Sequence, residues 1–244
     1  MMVLICAAGK GTRLSGITGL KLLYPVAGKP LILRVLDAVA QPGVNKIVLV
    51  VGYAQDKIKK AVGQSYKGIP ITYVTNPLWE TKGNMSSLYA ARDAIDEDLL
   101  FTTGDILISE KNVRRILDAR QDACILMDSS AKAKASADVL KLVVKGGRIA
   151  RISKAIPPQE ASGAACGFYK LALPIAKKFY AIMQAHFDAK QIDLPWNIPV
   201  EELCAVQEVV PIESDESFCM DIDTPEDLII AEQALLRNPF KGPV

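Results

Sequence analysis

Residues 3–13, Val-Leu-Ile-Cys-Ala-Ala-Gly-Lys-Gly-Thr-Arg, constrain the fold more than any other stretch of this chain. A run of aliphatic residues stops abruptly in a loop carrying Gly9 and Gly11, followed at once by Thr12 and Arg13. An uninterrupted apolar run of this length reads as a strand buried on both faces, the kind found in parallel sheets covered by helices. The loop combines backbone N–H groups free of side-chain cover with a fixed positive charge, which is what a polyphosphate requires. Lys21 and the segment Val26-Ala-Gly-Lys-Pro30 follow shortly afterwards.

Two familiar phosphate loops do not fit. Gly9-Lys10-Gly11-Thr12 lacks the spacing of a Walker A loop. A dinucleotide fingerprint would need a third glycine where Leu14 stands, and an acidic residue further on to hold a ribose.

The pattern beyond the loop extends the parallel-sheet reading. Strand-like runs at 3–7, Lys46–Val51, 71–75 and Leu99–Thr103 alternate with helical stretches near 30–40, 54–62 and 84–95. This predicts a mostly parallel sheet with helices on both faces, an α/β three-layer arrangement of Rossmann-like type. Ligands of such sheets bind beyond the carboxyl ends of the strands. The second half reads as strands at 123–127, 139–144, 148–153 and 164–171, with Lys145-Gly-Gly147 as a hairpin turn. Helices at 174–189 and 200–206 and strands at 208–212 and 218–220 follow. A last helix is capped by Thr224 with Pro225 at its first position. The chain therefore reads as a single domain (1–244) made of a nucleotide-binding half (1–122), an inserted acceptor-binding part (123–215) and a segment (216–244) returning to the main sheet.

Composition narrows the chemistry. A net charge of +2 gives no grounds for a nucleic-acid partner or an acidic membrane surface, and no apolar stretch is long enough to span a membrane. Cys6, Cys124, Cys166, Cys204 and Cys219 are scattered without a Cys-x-x-Cys pair, so reduced, mostly buried thiols in a cytoplasmic protein are expected. The single histidine, His186, lies within a helical stretch. A His-based triad or a His-ligated metal is thereby disfavoured, and any metal should be hard and carboxylate-held, which points to Mg²⁺.

Three constellations carry chemistry. Asp105 ends Leu99-Leu-Phe-Thr-Thr-Gly-Asp, where an acid straight after a buried strand faces the ligand crevice. Asp221 and Asp223 alternate in an extended segment, so both carboxylates can address one cation. Asp105 and Asp221 are the expected main Mg²⁺ pair, with Asp223 as the second choice; a helix cap at Asp223 is the competing explanation. Asn76 and the run Lys82-Gly83-Asn84-Met85-Ser86-Ser87-Leu88 put amide, hydroxyl and N–H groups at a helix start, where they can cap the helix or meet a nucleobase edge.

Taken together, these motifs resemble the nucleotidyltransferases that activate sugar phosphates and phosphorylated alcohols. The family signature is Leu-Ala-Ala-Gly-x-Gly-Thr-Arg, then a Lys and a Gly-Lys-Pro-Leu segment. This chain has Leu20-Lys21 where the family usually has Pro-Lys. The run Lys-Gly-Asn-x-x-Ser-Leu is similar to the choline-phosphate and inositol-phosphate cytidylyltransferases. The resemblance implies transfer of CMP from CTP to a phosphorylated small alcohol with release of pyrophosphate. It places Ala7, Ala8, Gly9, Gly11, Thr12, Arg13, Lys21, Asn76, Gly83, Asn84 and Ser87 around the nucleotide. Arg13 would serve the β- and γ-phosphates and Lys21 the α-phosphate. Lys154 would hold the acceptor phosphate, and Trp196 would wall the acceptor pocket, unless it is a packing residue. A sugar-1-phosphate enzyme using UTP or dTTP and a non-catalytic nucleotide-binding regulator are the alternatives. The resemblance leaves room for a homodimer and for a fused or associated membrane transferase beyond the C-terminus.

Overall fold

The computed structural model describes residues 1–11, 20–80, 83–215 and 218–237. Its first half contains β1 (Met2–Ala7), the short pair β2 (Pro25–Val26) and β3 (Lys29–Pro30), α1 (Leu31–Val39), β4 (Lys46–Val51), α2 (Gln55–Val62), β5 (Ser65–Tyr66), β6 (Ile69–Thr75), α3 (Met85–Ala90) and β7 (Leu99–Thr103). β7, β1, β4 and β6 lie side by side in that order, all parallel. β1 is flanked on both edges, and Met2, Val3, Leu4 and Ile5 are wholly buried, which accounts for the uninterrupted apolar run. Leu31, Ile32, Val35, Leu36 and Val39 form one buried stripe of α1, the spacing a helix needs to lie on a sheet. The chain works outward from β1 to β6, then returns to the other side of β1 for β7. The crevice beyond the carboxyl ends of β1 and β7 is therefore the topological switch point.

The second half comprises β8 (Ile106–Ile108), α4 (Glu110–Asp118), β9 (Ala123–Asp128), α5 (Ala131–Ala135), β10 (Lys141–Lys145), β11 (Arg148–Ser153), β12 (Gly163–Leu171), α6 (Leu173–Asp188), α7 (Asn197–Val206), β13 (Val210–Glu213), β14 (Cys219–Asp221) and α8 (Pro225–Arg237). The β10–β11 hairpin turns through Gly146 (φ 57°) and Gly147 (φ 77°), two successive left-handed residues that match the strand twist. At the head of α8, Thr224 Oγ1 accepts from the Asp227 N–H while the Asp227 carboxylate accepts from the Thr224 and Asp223 N–H groups.

The acceptor-binding part shares the main sheet, since β12 pairs antiparallel with β7 and carries β10, β11, β9 and β13 into it. One expectation about organisation is corrected: the late strand does not return to that sheet, because β14 pairs with β8 in a two-stranded ribbon of its own. Both arrangements follow from β7, which offers β12 a free edge and leads through Gly104-Asp105 straight into β8. Cys124, Cys166 and Cys204 are buried, and all five cysteines are unpaired. Among the described residues, no helix is long and apolar enough to cross a membrane.

Candidate active site

The β8–β14 ribbon brings residues far apart in sequence to one point. Asp105 immediately precedes β8, Asp221 sits opposite Ile106, and the Ile222 N–H donates to the Asp105 carbonyl at 3.0 Å. This pairing delivers Asp221 and Asp223 to the crevice mouth beside Asp105. Lys21 reaches the same place from the opposite side. Its Nζ donates to Asp105 Oδ2 at 2.7 Å and to Asp223 Oδ1 at 2.6 Å. Burial works against the ammonium form, but the adjacent Asp105 and Asp223 outweigh it and hold Lys21 above the ordinary lysine range. Asp223 Oδ1 accepts from Lys21, while Thr224 Oγ1 accepts from the Asp227 N–H at the head of α8.

Asp221 is exposed at the mouth of the crevice. Desolvation by neighbouring protein atoms, and then the like charges of Asp105 and Asp223, push its carboxyl up to about 7, with Lys21 and Lys154 pulling the other way. Three carboxylates and one ammonium thus form a single electrostatic unit. Asp105 and Asp223 converge on the Lys21 ammonium, and with Asp221 on the adjoining strand they gather hard oxygen donors of the kind Mg²⁺ takes; that ion needs only one or two carboxylates when a substrate phosphate supplies the rest. Among the described residues, no ready-made cage of three or more metal-binding side chains is present.

The glycine loop divides its work between protein and crevice. Gly11 has φ +67°, and a Cβ there would lie 2.6 Å from Lys21 Cβ, so only glycine lets the lysine stem cross the loop. A Cβ on Gly9 would meet no protein atom within 4 Å, leaving its backbone open to a ligand. Ala7 and Ala8 are buried, and the Ala8 carbonyl accepts the Tyr53 N–H at 2.9 Å. The Cys6 carbonyl does the same for Gly104 and ties the ends of β1 and β7 together. Thr12 and Arg13, both expected at the triphosphate, lie outside the described residues, as does Lys82. Lys29, from the segment after the loop, turns away to Asp37 and Tyr66.

On the other flank, the expected base-facing residues are tied to protein partners. Asn76 is buried and donates to Ser86 Oγ at 3.2 Å and Ser87 Oγ at 3.0 Å, while its own Oδ1 accepts from the Leu78 N–H. Asn84 does not use its side chain to cap α3; its Oδ1 accepts the Trp196 N–H at 2.9 Å, at the head of α7. A Cβ on Gly83 would come within 2.2 Å of the Leu194 carbonyl, so this glycine is required by the connector between α6 and α7. Trp196 takes the packing position, the alternative to an acceptor-pocket wall. It is buried edge-on against Phe101 and Tyr169, with centroids 5.6 and 5.8 Å away, because the docked connector pulls it into the core. Lys154 is exposed on the turn after β11, within electrostatic reach of Asp221. His186 bonds Gln191 and Glu202, a helix-end arrangement apart from the carboxylate cluster.

Comparison with known proteins places this geometry in context. Residues 3–162 match the family model described as the MobA-like NTP transferase domain. The chain is 33% identical over 123 residues to CMP-5'-(3-aminopropyl)phosphonate synthase from Streptomyces rubellomurinus, covering half of this chain and 20% of that protein. It is 28% identical over 240 residues to the UTP--glucose-1-phosphate uridylyltransferase AglF of Haloferax volcanii, with 96% of each covered. It is 27% identical to the bifunctional IPC transferase and DIPP synthase of Archaeoglobus fulgidus, where it spans 99% of itself and 45% of the relative. The inositol-1-phosphate CTP transferase of T. maritima superposes with a TM-score of 0.78 at 18% identity, over 96% of both chains.

Proposed function

Because the chain belongs to the MobA-like NTP transferase domain family, we propose that it transfers CMP from CTP to a small phosphorylated alcohol of the phosphocholine or inositol-1-phosphate type, releasing pyrophosphate. The observation that carries this reading is the clasp of Lys21 between Asp105 and Asp223 at the switch point of the sheet. It sets a permanent positive charge at the end of a glycine loop whose Gly9 backbone is open.

In the reaction, a phosphate oxygen of the acceptor attacks the α-phosphorus of CTP in line, and the bond to pyrophosphate breaks. No general base is needed, since a phosphate monoester is already anionic at neutral pH. Lys21 offsets negative charge at the α-phosphate as the pyrophosphate departs, while the backbone of Gly9 and Gly11 cradles the chain of phosphates. Arg13 is assigned to the β- and γ-phosphates and Lys154 to the acceptor. Asp105 and Asp221, with Asp223 beside them, are the residues that would hold Mg²⁺, whose chemistry there is to neutralise the triphosphate. The choice of CTP is supported by the run Lys82-Gly83-Asn84 through Leu88 and by the likeness to a CMP-5'-(3-aminopropyl)phosphonate synthase. A second reading, UTP with a sugar 1-phosphate, is favoured by the full-length likeness to the glucose-1-phosphate enzyme.

The test combines the protein with Mg²⁺, each of CTP, UTP and dTTP, and a panel of phosphocholine, inositol 1-phosphate and hexose 1-phosphates, with pyrophosphate as the readout. Release with CTP and an alcohol phosphate is the expected result. Release confined to UTP or dTTP with a hexose 1-phosphate selects the second reading, and silence from folded protein across the panel removes both.

A further inference from the structure

The described residues include three buried lysines, and two of them are fully accounted for. Lys21 is held by two carboxylates. Lys170 donates to the carbonyls of Leu117 and Ala119, closing the end of α4. Lys141, the most deeply buried at 3% exposure, has one long contact: its Nζ lies 3.4 Å from the Lys154 carbonyl. No carboxylate among the described residues pairs with it. A buried cation with a single marginal acceptor is costly to maintain, and a structural lysine would have found better partners.

Register shows where it points. Lys141 stands opposite Ser153 on β11 and Ala164 on β12, and Ala164 stands opposite Asp128 on β9. Residues directly opposite in a sheet share a face, so Ser153, Lys141, Ala164 and Asp128 form one row. The next residue, Leu142, points the other way into the core with Ile149 and Ile152. β14 covers the Lys141 side of the sheet: the Cys219 thiol donates to the Cys166 carbonyl of β12 at 3.3 Å. Asp128 and Asp221 both lie within electrostatic reach of Cys219. Lys141 therefore lies at the crevice end of the sheet, on the face that carries the carboxylates, with Lys154 beside it. Ala164 between them contributes only a methyl group and leaves the lysine stem room.

We infer that Lys141 joins Lys154, assigned to the acceptor above, in a two-ammonium anion site that grips the phosphoryl or phosphonyl group of the acceptor and presents one of its oxygens to the nucleotide. Lys141 is the buried member that fixes the anion's position, and Lys154 is the exposed member that meets it first. The site reads the anionic head of the acceptor and leaves the organic tail to other residues. Tetrahedral phosphate and phosphonate heads share this chemistry. The inference deepens the proposed reaction and rests on it for the identity of the ligand, while the anion site itself stands on geometry.

Inorganic phosphate, titrated calorimetrically into the full chain without nucleotide, tests the site directly. Lys141→Met should weaken phosphate binding at least tenfold, while Lys141→Arg, which keeps the charge, stays within threefold of the unmodified protein. Lys141→Met should also melt at the same temperature or higher, since it removes an unpaired buried cation, whereas loss of a structural lysine would lower the midpoint. Equal phosphate affinity in the unmodified protein and folded Lys141→Met, or no binding by the unmodified protein, overturns the inference. Lys141→Gln substitutes if the Met variant does not fold, and failure of both to fold marks Lys141 as structural and overturns it as well. In turnover assays, Lys141→Met should raise KM for phosphocholine, inositol 1-phosphate or 3-aminopropylphosphonate at least tenfold, with KM for CTP within twofold. Whichever acceptor is used separates phosphate from phosphonate heads. If the phosphate result holds but the unmodified protein turns over none of these acceptors, the reaction assigned above fails and the anion site survives.

Discussion

At Gly11 the backbone is left-handed, and the space a methyl group would need is filled by the stem of Lys21. At Gly9, two residues earlier in the same loop, that space is empty. The two glycines should respond oppositely to the same substitution. Gly11→Ala forces an unfavourable conformation and displaces Lys21, and should cost about 2–3 kcal/mol in a urea melt. Gly9→Ala should alter stability by less than about 0.5 kcal/mol and act instead on KM for the nucleotide. Equal destabilisation by both would contradict this division. Lys21→Met and Asp105→Ala should each lower kcat by about 10²–10³-fold, as loss of one preorganised charge at a reacting phosphate does. The positions of Lys21, Asp105 and Asp221 were legible in the sequence because each follows a glycine loop or an apolar run, where chemistry concentrates in α/β folds. Lys141 was not, since a lysine in an alternating strand has the same pattern whether it meets solvent or a crevice. Asn84 was legible as a cap, but its helix is 112 residues away and no local signal says so.

Elements stabilised by local rules could be read directly, and those stabilised by distant pairing could not. The Gly146-Gly147 turn and the Thr224–Asp227 box each lie within four residues of chain, and both form as their chemistry dictates. The β8–β14 ribbon joins two three-residue strands more than a hundred residues apart, too short to carry a periodic signal. A second non-local device sits on the opposite side of α1, where Asp37 binds Lys29 of β3, Tyr66 of β5 and Lys67. Burial would raise the Asp37 carboxyl, but the hydrogen bonds from Lys29, Tyr66 and Lys67 outweigh it and hold it below the ordinary range. A depressed carboxyl stabilises the fold fully above the ordinary aspartate range, near pH 4, and loses that contribution as the pH falls through its own lower value. Lys29, held above its ordinary range once its two partners outweigh burial, keeps its charge well past neutrality. Asp37→Asn should therefore lose about 2 kcal/mol at pH 7, and the gap to the unmodified protein should close progressively below about pH 4. A gap that widened on acidification would show that the carboxylate is not what the network stabilises.

For the molecule as a whole, the decisive fact is that one sheet runs from β11 through β12, β7 and β1 to β5. The sequence suggests a nucleotide-binding half and an acceptor annex because the pattern changes from strand–helix alternation to hairpins near residue 123. That change is real, yet it marks a switch from parallel to antiparallel pairing within a single layer. Phe101 of β7 stacks on Tyr169 of β12 with centroids 4.6 Å apart, and one apolar cluster includes Leu4 and Val50 together with Ile149 and Leu203. Two units sharing such a core cannot unfold separately without exposing it, so unfolding should be one cooperative transition. The chain's two tryptophans provide the measurement, because Trp79 lies in the first half and Trp196 in the second. Trp79→Phe and Trp196→Phe each leave one reporter, and Trp79→Phe keeps the buried indole intact. In each variant the fluorescence midpoint in urea should coincide with the circular dichroism midpoint of the same protein, with equal slopes. Two steps, or a Trp196 signal lost before the Trp79 signal relative to backbone structure, would show the acceptor-binding part to be an independent unit. It would also uncouple the acceptor lysines from the triphosphate loop, which the continuous sheet holds in a fixed relation.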